Sequence, residues 1–162
     1  MTPAFVALGA NLGDPVATIR HAMAELATID GCRITCRSGL YRTAPVGLKN
    51  QPDFINAAVA LTTRLTAEQL LNELFAVEAR FGRQRGVKNA PRTLDLDLLL
   101  YGELIQTTAY LTLPHPRLHE RAFVLAPLGE IAPGLRVPGH GPVEELLAGC
   151  HDQRIALLHP AS

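Results

Sequence analysis

An α+β sandwich is the fold the sequence predicts, with one mostly antiparallel sheet flanked by helices. Three observations carry that expectation. The apolar runs follow the order strand, helix, strand, strand, helix, strand, which is the split βαβ or ferredoxin-like arrangement. Both helical runs open on recognisable start signals. The 162 residues, 48% hydrophobic and 19% charged, suit a single domain over residues 1–162 with a real core, not a disordered or fibrous chain.

Phe5 to Leu8 reads as the first strand, stopped by the turn Gly9-Ala10-Asn11-Leu12-Gly13. Asp14-Pro15 supplies an N-cap and a proline at the first helical position. Val16, Ile19, Met23 and Leu26 then recur at helical spacing as far as Gly31. Strands are expected over Arg33–Tyr41 and Phe54–Thr62, separated by a Pro- and Gly-bearing loop from Thr43 to Pro52. Thr66 with Gln69 forms a capping box, and Leu70, Leu71, Leu74 and Phe75 start an apolar stripe that runs to Phe81. Residues 82–93 read as a long loop, and Leu94 to Tyr101 as the next strand. Prolines at 114, 116, 127, 133, 138 and 142 leave the last third irregular. Only a helix over Val143–Leu147 and a strand over Arg154–Leu158 are expected there.

Fifteen basic residues cancel fifteen acidic ones, which argues against a protein that grips nucleic acid on a broad basic face. Thirteen of the cations are Arg, whose planar fork suits phosphate and carboxylate. Cys32, Cys36 and Cys150 are an odd number without a second ligand pair, so a reduced compartment is expected and structural zinc is not. No apolar run reaches the ~18 residues of a membrane span, and no secretory leader opens the chain. A cytoplasmic monomer without nucleic-acid or membrane partners is the expectation.

The chemistry concentrates around Leu94-Asp95-Leu96-Asp97-Leu98-Leu99-Leu100. A period of two sets Leu94, Leu96, Leu98 and Leu100 on one face and the two Asp on the other, ~6.5 Å apart. Like charges on one strand face repel. The pair therefore either holds hard cations or guards a solvated edge strand. Just upstream lie Arg80, Arg83, Arg85, Lys88 and Arg92 with no acidic residue among them. Beside paired carboxylates such a segment suits a metal-bound polyphosphate, although alone it reads as a solvated loop. His115 between Pro114 and Pro116, followed by Arg117, His119 and Arg121, adds donors, but a histidine there is also an ordinary turn residue. Glu78 is read as half-exposed, or else bound to a specific donor. Phe54 and Phe123 read as core aromatics. Neither glycine-rich phosphate-loop pattern is present, and Cys150 has no context that would activate it.

Five blocks occur in order over nearly the whole chain: Ala7 to Gly13, Tyr41-Arg42-Thr43-Ala44-Pro45, Gln51 to Ala57, Pro91-Arg92-Thr93-Leu94-Asp95-Leu96-Asp97, and Pro114 to Phe123. Together they resemble the 6-hydroxymethyl-7,8-dihydropterin pyrophosphokinase family of folate biosynthesis. The resemblance implies a ferredoxin-like fold and transfer of pyrophosphate from ATP to the pterin hydroxymethyl group, releasing AMP. It implies that Asp95 and Asp97 hold two Mg²⁺ ions on the ATP phosphates. Arg83, Arg85, Arg92, His115 and Arg121 would bind or neutralise the triphosphate, and Glu78 would help hold the nucleotide. Phe54 and Phe123 would sandwich the pterin ring. Asn56 would read its polar edge, backbone around Thr43, Pro45 and Val46 would assist, and Asn11 would sit near the same pocket. Phe54 stands where some relatives carry Tyr, which keeps stacking and loses a hydroxyl. The loop over 82–90 is about one residue shorter, with Asn89 in the region of a family Trp.

On that reading the hydroxymethyl oxygen attacks the β-phosphorus, and residues 82–93 form a lid that excludes water. Two other classes compete. A nucleotide-holding regulatory module would bind ATP without releasing AMP. A metal-dependent phosphoesterase would hydrolyse at the Asp pair without a pterin.

Overall fold

In a computed structural model of the chain, residues 1–44, 50–82 and 93–161 are described. β1 (Thr2–Ala10), α1 (Pro15–Leu26), β2 (Cys32–Arg37), β3 (Leu40–Thr43), β4 (Phe54–Thr63), α2 (Ala67–Arg80) and β5 (Asp95–Tyr101) follow the expected order. β1 lies between β4 and β5, antiparallel to both, while β2 and β3 follow one another along the other side of β4. Beyond the split βαβ unit come a small hairpin of β6 (Gln106–Thr107) and β7 (Thr112–Leu113), a 3-10 turn over Leu118–Glu120, and α3 (Ala122–Ile131). A second hairpin of β8 (Arg136–Val137) and β9 (Gly141–Pro142), α4 (Val143–Ala148) and β10 (Ala156–His159) complete the chain. β10 adds itself to the sheet beside β3.

The caps do what the sequence asks of them. The Asp14 side chain accepts from the Ala17 N–H, and Thr66 and Gln69 form the reciprocal box at the start of α2. Even-numbered residues of β1 (Ala4, Val6, Leu8, Ala10) and odd-numbered residues of β4 (Ile55, Ala57, Val59, Leu61) pack against Ile19, Leu26, Leu70 and Leu74 of α1 and α2. Ala7 faces the other way, toward Leu125 and Leu128 of α3 and Val143 of α4. The sheet is thus covered on both faces.

Several features differ from the expectation. β1 runs on through Gly9 and Ala10, which the sequence assigns to the turn after it, and two short hairpins, β6–β7 and β8–β9, stand where irregular chain is expected. The strand over Arg33–Tyr41 breaks at Ser38-Gly39, where the Ser38 Oγ accepts from the Ala58 N–H and donates to the Gly39 carbonyl. β10 passes so close that a Cβ on Gly39 would lie 2.6 Å from the His159 carbonyl oxygen. α3 replaces irregular chain. Its segment is apolar from Ala122 to Leu128 with no polar stripe. Only Glu130 near its end carries charge, accepting from the Gly39 N–H and the Tyr41 hydroxyl. Pro127 inside it costs one backbone bond without ending the helix. The last strand lies slightly later than Arg154–Leu158, at Ala156–His159. Finally, the β1–β5 register shifts between Phe5, opposite Leu100, and Val6, opposite Leu98, which leaves Leu99 as an extra residue. The bulge turns Leu100 away from Leu94, Leu96 and Leu98, so it packs with Leu99 in the α3-side core. Asp95 and Asp97 precede the bulge and keep a common face, opposite Gly9 and Ala7.

Candidate active site

α3 covers only part of its face of the sheet, and near its N-terminus a cavity of about 300 Å³ opens. Its floor follows from the register. Asn56 of β4, Gly9 of β1 and Asp95 of β5 form one row across three strands, with Asp97 beside Ala7 in the next. Gly9 and Ala7 leave room where larger side chains would fill the space. Thr43 and Phe54 from β3 and β4, and Arg121 and Phe123 at the start of α3, line its walls. Asn56 is buried, and its Nδ2 donates to the Thr43 Oγ1 at 2.9 Å. Asn11 does not line the cavity. It is buried just past β1 and donates to the Gln51 Oε1 at 2.8 Å and the Pro52 carbonyl at 3.1 Å, tying down the segment that brings Gln51 to the cavity.

Charge gathers at the β5 side. The Arg121 guanidinium lies 5.5 Å from the Phe123 ring centroid. Burial pulls its pKa below the ordinary value and the Arg117 charge adds to this, while Asp97 and Asp95 oppose it. The His115 Nε2 stands 3.9 Å from the Asp97 Oδ1. The His115 N–H donates to the Leu99 carbonyl, and its Nδ1 accepts from the Arg117 N–H, which aims the ring. Burial first, then the Arg121 and Arg117 charges, with Asp95 opposing, push the imidazole down to about 4. His115 is therefore a neutral ring at physiological pH.

A second cavity of about 260 Å³ lies on the far side of Asp97, lined by Leu71, Phe75, Leu98, Tyr110, Thr112 and His115 among others. Phe75 meets Tyr110 edge to face at 6.4 Å, and the Tyr110 hydroxyl bonds the Asn72 side chain. Asp97 lines both cavities.

Glu78 corrects the expectation of half-exposure. It is buried, and its Oε2 accepts from the Leu96 N–H at 2.7 Å. α2 packs on β5, and this carboxylate satisfies an outward amide of that edge strand. Glu78 lines neither cavity. Pro45, Val46, Arg83, Arg85 and Arg92 lie outside the described residues, as does the rest of 83–92. Phe54 and Phe123 are partly buried cavity walls; Phe123 also packs against the α3-side core, in keeping with a core aromatic, whereas Phe54 belongs to neither core cluster. Gln51, Glu120 and Gln153 join the larger cavity without having been singled out in the sequence. Gln51 sits inside a motif block that could have revealed it, whereas Gln153 has no local signal at all.

Among the described residues no third His, Cys, Asp or Glu gathers with the Asp pair into a metal cluster. Two hard carboxylates alone fit Mg²⁺, which takes its remaining oxygens from phosphates and water. They do not fit a structural zinc. No helix among the described residues is long and apolar enough to cross a membrane.

Paired carboxylates beside Arg and His, between two cavities on a split βαβ sandwich, define a phosphoryl-transfer class of site. The chain matches the family model described as 7,8-dihydro-6-hydroxymethylpterin-pyrophosphokinase over residues 5–133. It is 42% identical to a 2-amino-4-hydroxy-6-hydroxymethyldihydropteridine pyrophosphokinase of Pseudomonas aeruginosa over 90% of each chain. Proteins of the same name from Methylorubrum extorquens and Haemophilus influenzae are 45% identical over 91% of this chain and 93% of the relative, and 38% identical over 99% and 100%. In fold it resembles a solved structure described as HPPK-DHPS in complex with substrates, at a TM-score of 0.70 and 14% identity, over 91% of this chain and 43% of that one. The chain belongs to the 7,8-dihydro-6-hydroxymethylpterin-pyrophosphokinase family, and its activity is that of a pyrophosphokinase of folate synthesis.

Proposed function

We propose that the two cavities divide the two substrates of this reaction, 6-hydroxymethyl-7,8-dihydropterin in the larger and ATP in the smaller. The observation that carries this is Asp97, which lines both. Phe54 and Phe123 stack on the pterin ring from opposite walls. The Asn56 carboxamide, oriented by Thr43, reads the polar edge of the ring, and Asn11 acts through Gln51. The apolar walls Leu71, Phe75 and Leu98 receive the adenine end of ATP.

The transfer forms a bond from the hydroxymethyl oxygen to the β-phosphorus and breaks the bond to the oxygen bridging to the α-phosphorus, so AMP leaves and the hydroxyl proton is released to solvent. Asp95 and Asp97 would hold two Mg²⁺ ions, which supply neutralising charge to the triphosphate when bound. Arg121 donates to phosphate oxygens from the wall shared with the pterin, and His115, with its Nδ1 accepting from the Arg117 N–H, donates from its Nε2. Arg83, Arg85 and Arg92 extend this donor set, and Glu78 shapes the nucleotide side by holding β5 at Leu96. A loose transition state asks for little proton abstraction, so positioning and electrostatics suffice.

The test is AMP formation from MgATP with and without the pterin, followed by chromatography. Pterin-dependent AMP in equal yield with a pterin diphosphate is the expected result. Pterin-independent phosphate release would overturn the transfer reading, and a Phe123→Ala enzyme with a raised ATP KM and an unchanged pterin KM would overturn the division of the two cavities.

A further inference from the structure

α3 begins at a residue that cannot cap it. Arg121 occupies the N-cap position, and no side-chain cap bond is made from it. The orphan N–H of Ala122 is satisfied instead by Gln153, whose Oε1 accepts it at 2.9 Å from 31 residues away. The same carboxamide donates through its Nε2 to the Glu120 carbonyl at 2.7 Å. One side chain therefore spans the backbone immediately before and after Arg121, as a neighbouring strand would. The backbone N–H of Gln153 is itself anchored on the Cys150 carbonyl, next to α4. The 3-10 turn is braced a second time by the stack of His119 on His140, with ring centroids 4.0 Å apart. Both braces come from residues beyond 133, where the family match ends.

We propose that Gln153 is a positioning residue for the transfer reaction. It clamps the Glu120–Ala122 backbone and so sets the Arg121 guanidinium and the Phe123 ring at the wall between the two substrates. Gln153 lines the larger cavity, but both ends of its amide are already engaged with backbone, so it acts through Arg121 and Phe123. Without the clamp the first turn of α3 has an unmet N–H and Arg121 gains backbone freedom. The inference rests on the reading that Arg121 and Phe123 contact the substrates.

The test compares Gln153→Met, which keeps size and removes both bonds, with Gln153→Asn, which is too short to span both partners. Arg121→Ala and Phe123→Ala run alongside. AMP formation is measured well below each protein's melting temperature, with kcat and the KM of each substrate, so a loss of folded fraction does not enter. Loss of two net hydrogen bonds predicts kcat/KM lower by about tenfold or more for Gln153→Met. The kcat should fall and the pterin KM rise, and Gln153→Asn should fall similarly. Should Gln153→Met not fold, Gln153→Asn decides alone. Wild-type kcat and KM in the folded Gln153 variants, with Arg121→Ala and Phe123→Ala impaired, overturn the positioning role. Full activity in Arg121→Ala and Phe123→Ala overturns the site reading first, and the role of Gln153 with it.

Discussion

Thr43→Val isolates one hydrogen bond at the pterin end of the site. The substitution keeps the β-branched shape and removes the oxygen that accepts from the Asn56 Nδ2 at 2.9 Å. Thr43 and Asn56 are diagonal neighbours on β3 and β4, since Thr43 pairs with Phe54 and Tyr41 with Asn56. Both side chains are buried, and an amide donor left without a partner there costs about 1–3 kcal/mol. Part of that appears in stability, as a drop of about 2–4 °C in Tm per kcal/mol at this chain length. The rest appears as loss of the fixed carboxamide orientation, and each 1.4 kcal/mol is about a factor of ten in kcat/KM. The expected result is a fall of up to about 100-fold in kcat/KM for the pterin with the KM for ATP unchanged. Steady-state AMP formation with each substrate varied, together with calorimetry, measures both parts. An Asn56→Ala enzyme that is impaired beside a Thr43→Val enzyme with wild-type pterin kinetics would show that Thr43 does not orient the amide.

Three further outcomes follow from the geometry. Asp97→Ala should lower turnover by about two to three orders of magnitude, as loss of a principal electrostatic group does, with circular dichroism unchanged; a variant with near-normal AMP release would refute the role of the pair. His115, held near 4 in the fold against an ordinary 6.5, binds its proton in the unfolded chain first. Stability should therefore be full above pH 6.5 and decline by about 3 kcal/mol in all as pH falls to about 4. His115→Asn should remove that slope, and an NMR titration midpoint of the apo protein at or above 6.5 would contradict it. Gly39→Ala places a methyl group 2.6 Å from the His159 carbonyl oxygen and 2.9 Å from the Leu157 Cδ1. It should destabilise by about 1–3 kcal/mol and speed amide exchange in β10; unchanged protection there would show that β10 accommodates the methyl group.

Local rules made most of the first hundred residues legible. Capping residues and apolar period announce α1 and α2, because satisfying the first N–H groups and burying one stripe are requirements met within a few neighbours. Asp95 and Asp97 were legible for the same reason, since alternation alone puts them on one face. α3 escaped because its segment is apolar without interruption from Ala122 to Leu128 and holds Pro127, so neither period nor breaker rule describes it. The tertiary sheet face that it covers makes it a helix. The face of Leu100 was likewise undecidable locally, because the bulge at Leu99 exists only in the pairing of β5 with β1.

The sequence by itself determined the order of strand and helix as far as β5, the carboxylate pair and, through its motif blocks, the family. Those properties reside in residue type and short spacing. Tertiary structure decided which residues meet: that Asn56, Gly9 and Asp95 form one row, that Asp97 borders two cavities, that Glu78 is buried on the Leu96 amide, and that Gln153 reaches back to the backbone of Glu120 and Ala122. Each of these depends on strand register or on contacts tens of residues apart, and no local spacing encodes how distant backbones align.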